Sequence, residues 1–157
     1  MQIGILSDTH GLLRAEVFPL LAGSDHILHL GDVGDPTILD ALAEIAPVTA
    51  IRGNIDTRGL CAQLPETDVV TLSGHDIYLL HDVHQLDLDP SGAGFSAVLY
   101  GHSHRPGIRW SKGVLFFNPG SCGPVRFQLP ITCGRITIDG DGQLKAAILQ
   151  VTNTGNG

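Results

Sequence analysis

The stretch Gln2-Ile3-Gly4-Ile5-Leu6-Ser7-Asp8-Thr9-His10-Gly11 decides the fold, because it joins an apolar strand pattern to a carboxylate and an imidazole two residues apart. Residues of a strand alternate between its faces, so we expect Asp8 and His10 to leave the strand end on the same side, where they can hold a metal ion. The same spacing also arises by chance. A buried strand followed by a turn, with Asp8 as a helix cap, explains it equally well. The rest of the sequence distinguishes the two interpretations.

The composition predicts a folded, globular chain. Of its 157 residues, 43% are hydrophobic and 16% are charged, which indicates one domain over residues 1–151 and a flexible tail over residues 152–157. No apolar run approaches the roughly 18 residues of a membrane span, and no export signal is evident, so we expect a cytoplasmic protein without membrane association. Cys61, Cys122 and Cys133 lack C-x-x-C spacing and are expected to be reduced and structural.

The charge distribution argues against a nucleic-acid polymer as partner. The formal net charge is −7, and the nine Lys and Arg residues are scattered rather than gathered in a stripe. Composition does not decide whether the chain forms a homo-oligomer. The eight histidines are more informative, because several of them directly follow apolar runs.

The first half of the chain alternates strand and helix patterns. After the first apolar run, strands are predicted over residues 26–30 and 48–51, and helices over residues 12–21 and 36–46. Pro19 should weaken the first helix, whereas Asp35 followed by Pro36 is a start signal for the second. Alternation with short connections indicates a parallel sheet.

Polar residues follow each of these three strands. Asp8, Asp32 and Asn54 are placed at the carboxyl ends, where parallel sheets gather their ligand sites. Gly53 gives the backbone freedom to present Asn54 as a neutral oxygen ligand. Three strands therefore deliver three candidate ligands to one edge.

The second half of the chain repeats this arrangement with histidines. Strands are predicted over residues 68–72, 76–80, 97–100, 114–117, 132–138 and 144–151. His81 follows the second of these strands, and His102 and His104 follow the third. Ser121 closes a tight turn that could face the same opening.

The strand-end residues form one ordered set of two carboxylates, one amide and four imidazoles: Asp8, His10, Asp32, Asn54, His81, His102 and His104. Two metal ions sharing one carboxylate would use all seven groups, which is more than one ion needs. The remaining histidines, His26, His29, His75 and His84, are expected to be structural, with His29 and His84 next to the ligands.

This set resembles the calcineurin-like metallophosphoesterases, and within them the small single-domain bacterial and archaeal phosphodiesterases related to the retromer subunit Vps29. The resemblance rests on Asp8-Thr9-His10, Gly31-Asp32, Gly53-Asn54, His81 and Gly101-His102-Ser103-His104, in the order of the family. It implies an α/β fold, a four-layer α-β-β-α sandwich in which two mixed sheets pack face to face with helices outside. A dinuclear metal site would lie at one edge.

The resemblance also implies a role for each ligand. Asp8, His10 and His104 would bind the first metal, Asn54, His81 and His102 the second, and Asp32 would bridge both. Asp32, Asn54 and His102 would act in catalysis through the metals, with no general acid assigned.

The implied activity is a dinuclear-metal-dependent phosphoesterase, specifically a phosphodiesterase, in which a metal-bridging hydroxide attacks a small phosphoester in line. The cofactors would be two divalent ions, with Mn as first choice and Ni, Fe, Zn or Co as alternatives. A Vps29-like binding scaffold without turnover is the alternative function, and a metal store or sensor is a third.

Two positions depart from the family pattern. Many larger relatives have a proton-donating histidine directly after the ligand asparagine, where this chain has Ile55. Asp56, His84 or a metal-bound water could supply the proton instead. Asp82 stands where a glycine commonly follows the ligand histidine. It could alter the surroundings of the second metal or cap the next turn, and we favour capping.

Three residues that flank the ligand loops are predicted to contact substrate: Arg52, Arg105 and Ser121.

Overall fold

The computed structural model describes residues 1–151, and the tail predicted over residues 152–157 lies outside the described residues. The strands, in chain order, are β1 (Gln2–Leu6), β2 (His26–His29), β3 (Val48–Ala50), β4 (Thr67–Leu72), β5 (His75–Leu80), β6 (Ala97–Leu99), β7 (Gly107–Ser111), β8 (Val114–Asn118), β9 (Thr132–Ile138) and β10 (Leu144–Gln150). The two α-helices are α1 (Val17–Leu21) and α2 (Thr37–Ala43).

The strands form two mixed sheets of five strands each. The first sheet has the order β10-β9-β1-β2-β3, and the second has the order β4-β5-β6-β8-β7. In the first sheet β1, β2 and β3 are parallel, as predicted, and β9 joins β1 antiparallel. In the second sheet β5, β6 and β8 are parallel, with antiparallel strands at both edges.

The main core lies between the two sheets. Alternate strand residues such as Ile3, Ile5, Leu79 and Phe117 are fully buried there, as the period of two requires. Burying a side chain of this size stabilises the fold by about 1.5–3 kcal/mol. The other face of the first sheet packs against the helices. The predicted sandwich of two mixed sheets is therefore confirmed.

The outer face of the second sheet is covered differently. Its buried residues Leu80, Val98 and Phe116 pack against residues that follow β5. These include Val83, which begins a short 3-10 helix (Val83–Gln85), and Leu86, which follows that helix. The buried residues of both α-helices belong instead to the cluster on the first sheet. Loop and 3-10 structure thus form the fourth layer in residues 1–151.

Both α-helices are shorter than predicted. The first begins at Val17, five residues later than expected. Pro19 lies in its first turn, where backbone N–H groups have no partner within the helix, so the missing N–H of proline costs no hydrogen bond. The second ends at Ala43 rather than at residue 46. The second helix begins at Thr37 with Pro36, rather than the expected Asp35, at the N-cap, although the Asp35 carboxylate accepts a hydrogen bond from the Thr37 backbone N–H at 2.9 Å.

The strand β7 is absent from the sequence prediction. It pairs antiparallel with β8 through a two-residue turn at Lys112 and Gly113, both of which have positive φ. The alternation of Ile108, Arg109 and Trp110 before this turn was the signal that could have revealed it. The strand was missed because its position at the sheet edge leaves Trp110 half exposed, so it lacks an apolar run.

The three cysteines are buried and unpaired, as expected for structural residues. Burial raises the pKa of the Cys133 thiol to about 11, which keeps it protonated at neutral pH. Within residues 1–151, neither α-helix is long and apolar enough to cross a membrane.

Candidate metal centre

All seven predicted ligands lie in loops that follow the carboxyl ends of β1, β2, β3, β5 and β6. Potential ligand atoms of Asp8, His10 and His104 lie within 4.8 Å of one another, and so do those of Asp32, His81 and His102. The seventh residue, Asn54, has its Oδ1 atom 3.1 Å from His102 Nδ1. The structure therefore brings together residues up to 96 positions apart, and divides them into two adjacent groups.

Backbone conformation, rather than strand alternation, orients five of these side chains. β1 already ends at Leu6, so our reason for placing Asp8 and His10 on one side was wrong. Positive φ angles of 46° to 69° occur at Asp8, His10, Asp32, His102 and His104. Left-handed conformations of this kind cost about 1–3 kcal/mol each in residues other than glycine, and they cluster at functional sites.

Backbone hydrogen bonds between the first two loops hold this strained conformation. The Asp8 N–H donates to the carbonyl of Gly31 at 3.0 Å, and the His10 N–H donates to the carbonyl of Asp32 at 2.9 Å. These bonds continue the pairing of β1 with β2 beyond both strands. The two carboxylates are consequently fixed relative to each other.

Two glycines allow the loops to pack closely around the carboxylates. A Cβ atom at Gly53 would collide with the Asp32 carboxylate and backbone, and one at Gly101 would collide with the Ser7 hydroxyl and lie 2.6 Å from Asp8 Oδ2. Each glycine directly precedes a predicted ligand. The Gly-Asn and Gly-His pairs of the sequence therefore reflect close approach of the backbone to a carboxylate.

Asp8 is ionised and has one free oxygen. Its Oδ2 atom accepts hydrogen bonds from the Ser7 hydroxyl at 2.7 Å and the His102 N–H at 3.1 Å. Burial opposes ionisation, but contacts with His10, His104 and Ser7 and the charge of His81 outweigh it and lower the pKa of Asp8. Oδ1 is buried without a hydrogen-bond partner.

Asp32 stands between the two groups. Its Oδ1 atom accepts a hydrogen bond from the Ile55 N–H at 3.0 Å. Its Oδ2 atom lies 3.4 Å from His10 Nε2 and 3.3 Å from His81 Nε2, one member of each group. Burial opposes ionisation here too, but the contact with His81 and the Ile55 N–H outweigh it and lower the pKa of Asp32.

His81 presents a single nitrogen to the carboxylates. Its Nδ1 atom donates a hydrogen bond to the carbonyl of Leu30 at 2.7 Å, and its buried Nε2 atom has no hydrogen-bond partner. Burial lowers the pKa of His81, but Asp32 and Asp8 outweigh this effect and raise it. The field around Nε2 thus favours a cation, which can be a proton or a metal ion. A second ring nitrogen bonded to a carbonyl is the usual arrangement of a metal-binding histidine.

The donor set fits divalent cations. The partnerless Oδ1 of Asp8 lies 3.3 Å from His104 Nε2 and 3.7 Å from the Nε2 atoms of both His10 and His81. Leaving a buried carboxylate oxygen without a donor costs free energy, which a cation at this point removes. Mixed nitrogen and oxygen ligands without thiolate suit Mn, Fe, Co, Ni or Zn.

The sequence interpretation missed the role of Asp56. This carboxylate is 4% exposed and accepts hydrogen bonds from the N–H groups of Val33, Gly34 and Gly53 at 3.1, 3.0 and 2.9 Å. It joins the loops that carry Asp32 and Asn54. We suggested Asp56 as a proton donor, but a carboxylate committed to three backbone donors is not positioned to act as an acid. Its place two residues after Asn54 was the available signal.

Three residues predicted to contact substrate have different surroundings. Ser121 is buried, and its hydroxyl donates to the Asp8 carbonyl at 2.8 Å, which stabilises the Asp8 loop. The Arg52 guanidinium donates to the carbonyl of Ala62 and the carboxylate of Glu66, both at 2.9 Å, and is largely committed to this loop. Arg105 is exposed beside His104.

An open cleft adjoins the second group of ligands. It has a volume of about 540 Å³, and Asn54, His81 and His102 lie in its wall together with Tyr78 and Asp82. A small molecule can reach the predicted ligands from this side.

Comparison with known proteins identifies the family. A model described as a calcineurin-like phosphoesterase superfamily domain matches residues 1–141. A probable metallophosphoesterase of Methanothermobacter thermautotrophicus is 32% identical over 162 aligned positions, which cover 96% of this chain and 92% of that protein. One of Methanocaldococcus jannaschii is 35% identical over 130 positions, which cover 77% and 68%.

Solved structures share the fold over almost the whole chain. A predicted phosphoesterase of Streptococcus pneumoniae has a TM-score of 0.75 and 28% identity, covering 98% of this chain and 93% of that one. An archaeal phosphodiesterase (TM-score 0.76, 23% identity, coverage 95% and 100%) and Vps29 of Cryptosporidium parvum (TM-score 0.76, 19% identity, coverage 97% and 98%) are similar in fold alone. With its candidate metal-binding residues in two adjacent groups, this chain belongs to the calcineurin-like phosphoesterase superfamily.

Proposed function

We propose that this protein is a phosphodiesterase that requires two divalent metal ions and hydrolyses a P–O bond of a small phosphoester. The observation that carries the proposal is the convergence of six candidate ligands in two groups, which contain the partnerless Asp8 Oδ1 and His81 Nε2 atoms, with Asn54 beside His102. Two adjacent groups of nitrogen and oxygen donors, in which Asp8, His104, Asp32 and His81 are buried, are more than a structural network of this size needs.

The chain's residues would divide between the two ions as the family pattern implies. Asp8, His10 and His104 would hold the first ion, and Asn54, His81 and His102 the second. Asp32 would serve both, since its Oδ2 atom is almost equidistant from His10 Nε2 and His81 Nε2. Two divalent ions held by these residues would lower the pKa of a shared water and polarise phosphoryl oxygens.

Other residues fix this arrangement before substrate binds. Ser7 and the His102 N–H hold Asp8, the Ile55 N–H holds Asp32, and the Leu30 carbonyl sets the His81 ring. Such fixed donors avoid reorganisation during the reaction. Arg105, which is exposed next to His104, is the remaining candidate for a direct contact with substrate phosphate.

Mn²⁺ is our first choice of metal, and the donor set also accommodates Ni²⁺, Fe²⁺, Zn²⁺ and Co²⁺. We expect a diester to be preferred over a monoester. The cytoplasmic location expected from the sequence remains a prediction.

The experiment is hydrolysis of bis(4-nitrophenyl) phosphate by metal-stripped protein, with each divalent ion restored in turn and bound metal measured by elemental analysis. We expect turnover only after metal is restored. His81→Ala should lower the activity by at least about 100-fold. This is more than the usual loss when a residue that contacts only the metal ligands is replaced. His26→Gln is the matched control, because His26 lies at the start of β2, at the other end of the sheet.

The alternative is a binding scaffold like Vps29, a protein that shares this fold. A scaffold would bind metal or a partner protein without hydrolysing any phosphoester. Absence of turnover with all five ions, although two ions are bound, would refute the phosphodiesterase proposal. Tight metal binding with neither turnover nor a stoichiometric partner would favour the metal store or sensor.

A further inference from the structure

We propose that Asp82 is a positioning residue that orients the His102 ring toward the second metal ion. The proposal rests on the metal site of the proposed function and adds a residue to it. Asp82 follows the predicted ligand His81, at a position where the family commonly has glycine, and the sequence interpretation favoured capping over an effect on the second metal.

The two carboxylate oxygens of Asp82 have separate surroundings. Oδ1 accepts a hydrogen bond from the His84 N–H at 3.0 Å, which is the cap predicted from the sequence, and lies 3.1 Å from His84 Nδ1. Oδ2 lies 3.9 Å from His102 Nε2, within ion-pairing distance. Capping therefore occupies one oxygen and leaves the other facing the histidine.

The opposite edge of the His102 ring faces the metal centre. Nδ1 lies 3.1 Å from Asn54 Oδ1, and the ring meets His81 edge to face with centroids 5.2 Å apart. Because Asn54 and His81 are predicted ligands of the same ion, Nδ1 is the ring atom placed to bind it. Nε2 must then carry the ring proton, which the charge of Asp82 Oδ2 attracts across 3.9 Å.

Asp82 favours one of two competing tautomers. Without metal, a proton on Nδ1 can donate to Asn54 Oδ1. This bond holds His102 in the tautomer that cannot bind metal through Nδ1. A carboxylate beside Nε2 stabilises the other tautomer and raises the basicity of Nδ1. This matters for His102 in particular, because its side chain is 45% exposed.

The test compares Asp82→Ser with Asp87→Ser. Serine retains an oxygen that can cap His84 but is too short to reach His102. Asp87→Ser is the matched control, because it removes the same charge from the wall of the same cleft. Among the described residues, His102 forms its ion pair with Asp82 and not with Asp87. Mn²⁺ titrations followed by electron paramagnetic resonance measure both affinities. Ring ¹⁵N–¹H spectra of the Zn²⁺-loaded protein report the His102 tautomer.

We expect Asp82→Ser to weaken binding of the second ion by about 10–100-fold and leave the first unchanged, while Asp87→Ser keeps the wild-type affinities. The wild-type spectrum should show His102 protonated on Nε2, with a slowly exchanging proton that Asp82→Ser loses. Equal affinities in the two variants would overturn the proposal. So would a Zn²⁺-loaded wild type with the His102 proton on Nδ1, a readout that needs no variant to fold. Two bound ions without turnover would refute only the phosphodiesterase function.

Discussion

The ring of His29 donates a hydrogen bond from Nε2 to the hydroxyl of Thr9, 3.0 Å away, in the fully buried layer beneath the metal centre. The direction follows from the other ring nitrogen, since Nδ1 accepts from the Gly31 N–H at 3.2 Å. The Thr9 hydroxyl in turn donates to the carbonyl of Val33 at 2.8 Å. One neutral histidine thus ties together the loops that carry Asp8, His10 and Asp32.

This neutral ring predicts acid sensitivity. Burial lowers the pKa of His29 to about 4, from an ordinary value of 6.5. The unfolded chain therefore binds an extra proton between these values, and stability falls as the pH drops from 6.5 to 4. We expect the metal-free protein to lose about 3 kcal/mol of unfolding free energy from this group between pH 7 and pH 4. Urea denaturation should show a shallower pH slope for His29→Gln, and an equal slope would contradict the prediction.

Asp56→Ala should destabilise the protein by about 3–5 kcal/mol, because it leaves the N–H groups of Val33, Gly34 and Gly53 without their acceptor. Asp56→Asn keeps one acceptor oxygen and should fall between this variant and the wild type. Chemical denaturation of metal-free protein measures both. If Asp56→Ala left stability unchanged but abolished turnover, Asp56 would be a catalytic group after all.

Asp32→Asn should cost more activity than Asp8→Asn. Asp32 Oδ2 lies within 3.4 Å of one histidine nitrogen from each group. The histidine nitrogen nearest to Asp8 Oδ1 is Nε2 of His104, which belongs to the first group and lies 3.3 Å away. We expect Asp32→Asn to lower kcat/KM by more than about 100-fold and to reduce the bound metal from two ions to one. Two bound ions with normal turnover would show that Asp32 does not bridge.

Gly53→Ala should displace Asp32. The added Cβ would collide with both the carboxylate and the backbone N of Asp32, so the loop must shift. We expect reduced metal content in a protein that still folds. Gly107→Ala is the control, because a Cβ there meets nothing within 4 Å and the backbone φ is not positive. Equal metal content in both variants would mean that the loop adapts without moving its ligand.

Ile55→His should reduce the dependence of rate on the leaving group. Isoleucine cannot protonate a departing alkoxide, and a positioned acid contributes about 10²–10⁴ in rate. The Ile55 side chain is 40% exposed and its N–H holds Asp32, so a histidine can be accommodated there. The wild type should hydrolyse nitrophenyl esters far faster than alkyl esters. A flat plot of rate against leaving-group pKa in the wild type would show that another residue supplies the proton.

The sequence by itself determined which residues meet at the site and in which type of fold. Strand patterns that each end in a carboxylate, amide or imidazole are local features, and parallel strands bring their carboxyl ends to one edge whatever the details of packing. Asp8 and Asp32 could therefore be placed together before any contact was known, whereas His81, which follows a strand of the other sheet, was joined to them by the resemblance to the family. The capping role of Asp82 was equally local, because it depends only on the next two residues.

Tertiary structure decided how these residues point and what holds them. Left-handed backbone at Asp8 and His10 depends on bonds to the loop after β2, which strand alternation does not encode. The free nitrogen of His81 is set by a carbonyl 51 residues away, and β7 exists only because β8 pairs with it. Such contacts join segments distant in sequence, so their energies appear only when the sheets have packed. For the same reason the hydrogen bonds by which Ser121 and Asp56 support the loops could not be predicted from the sequence.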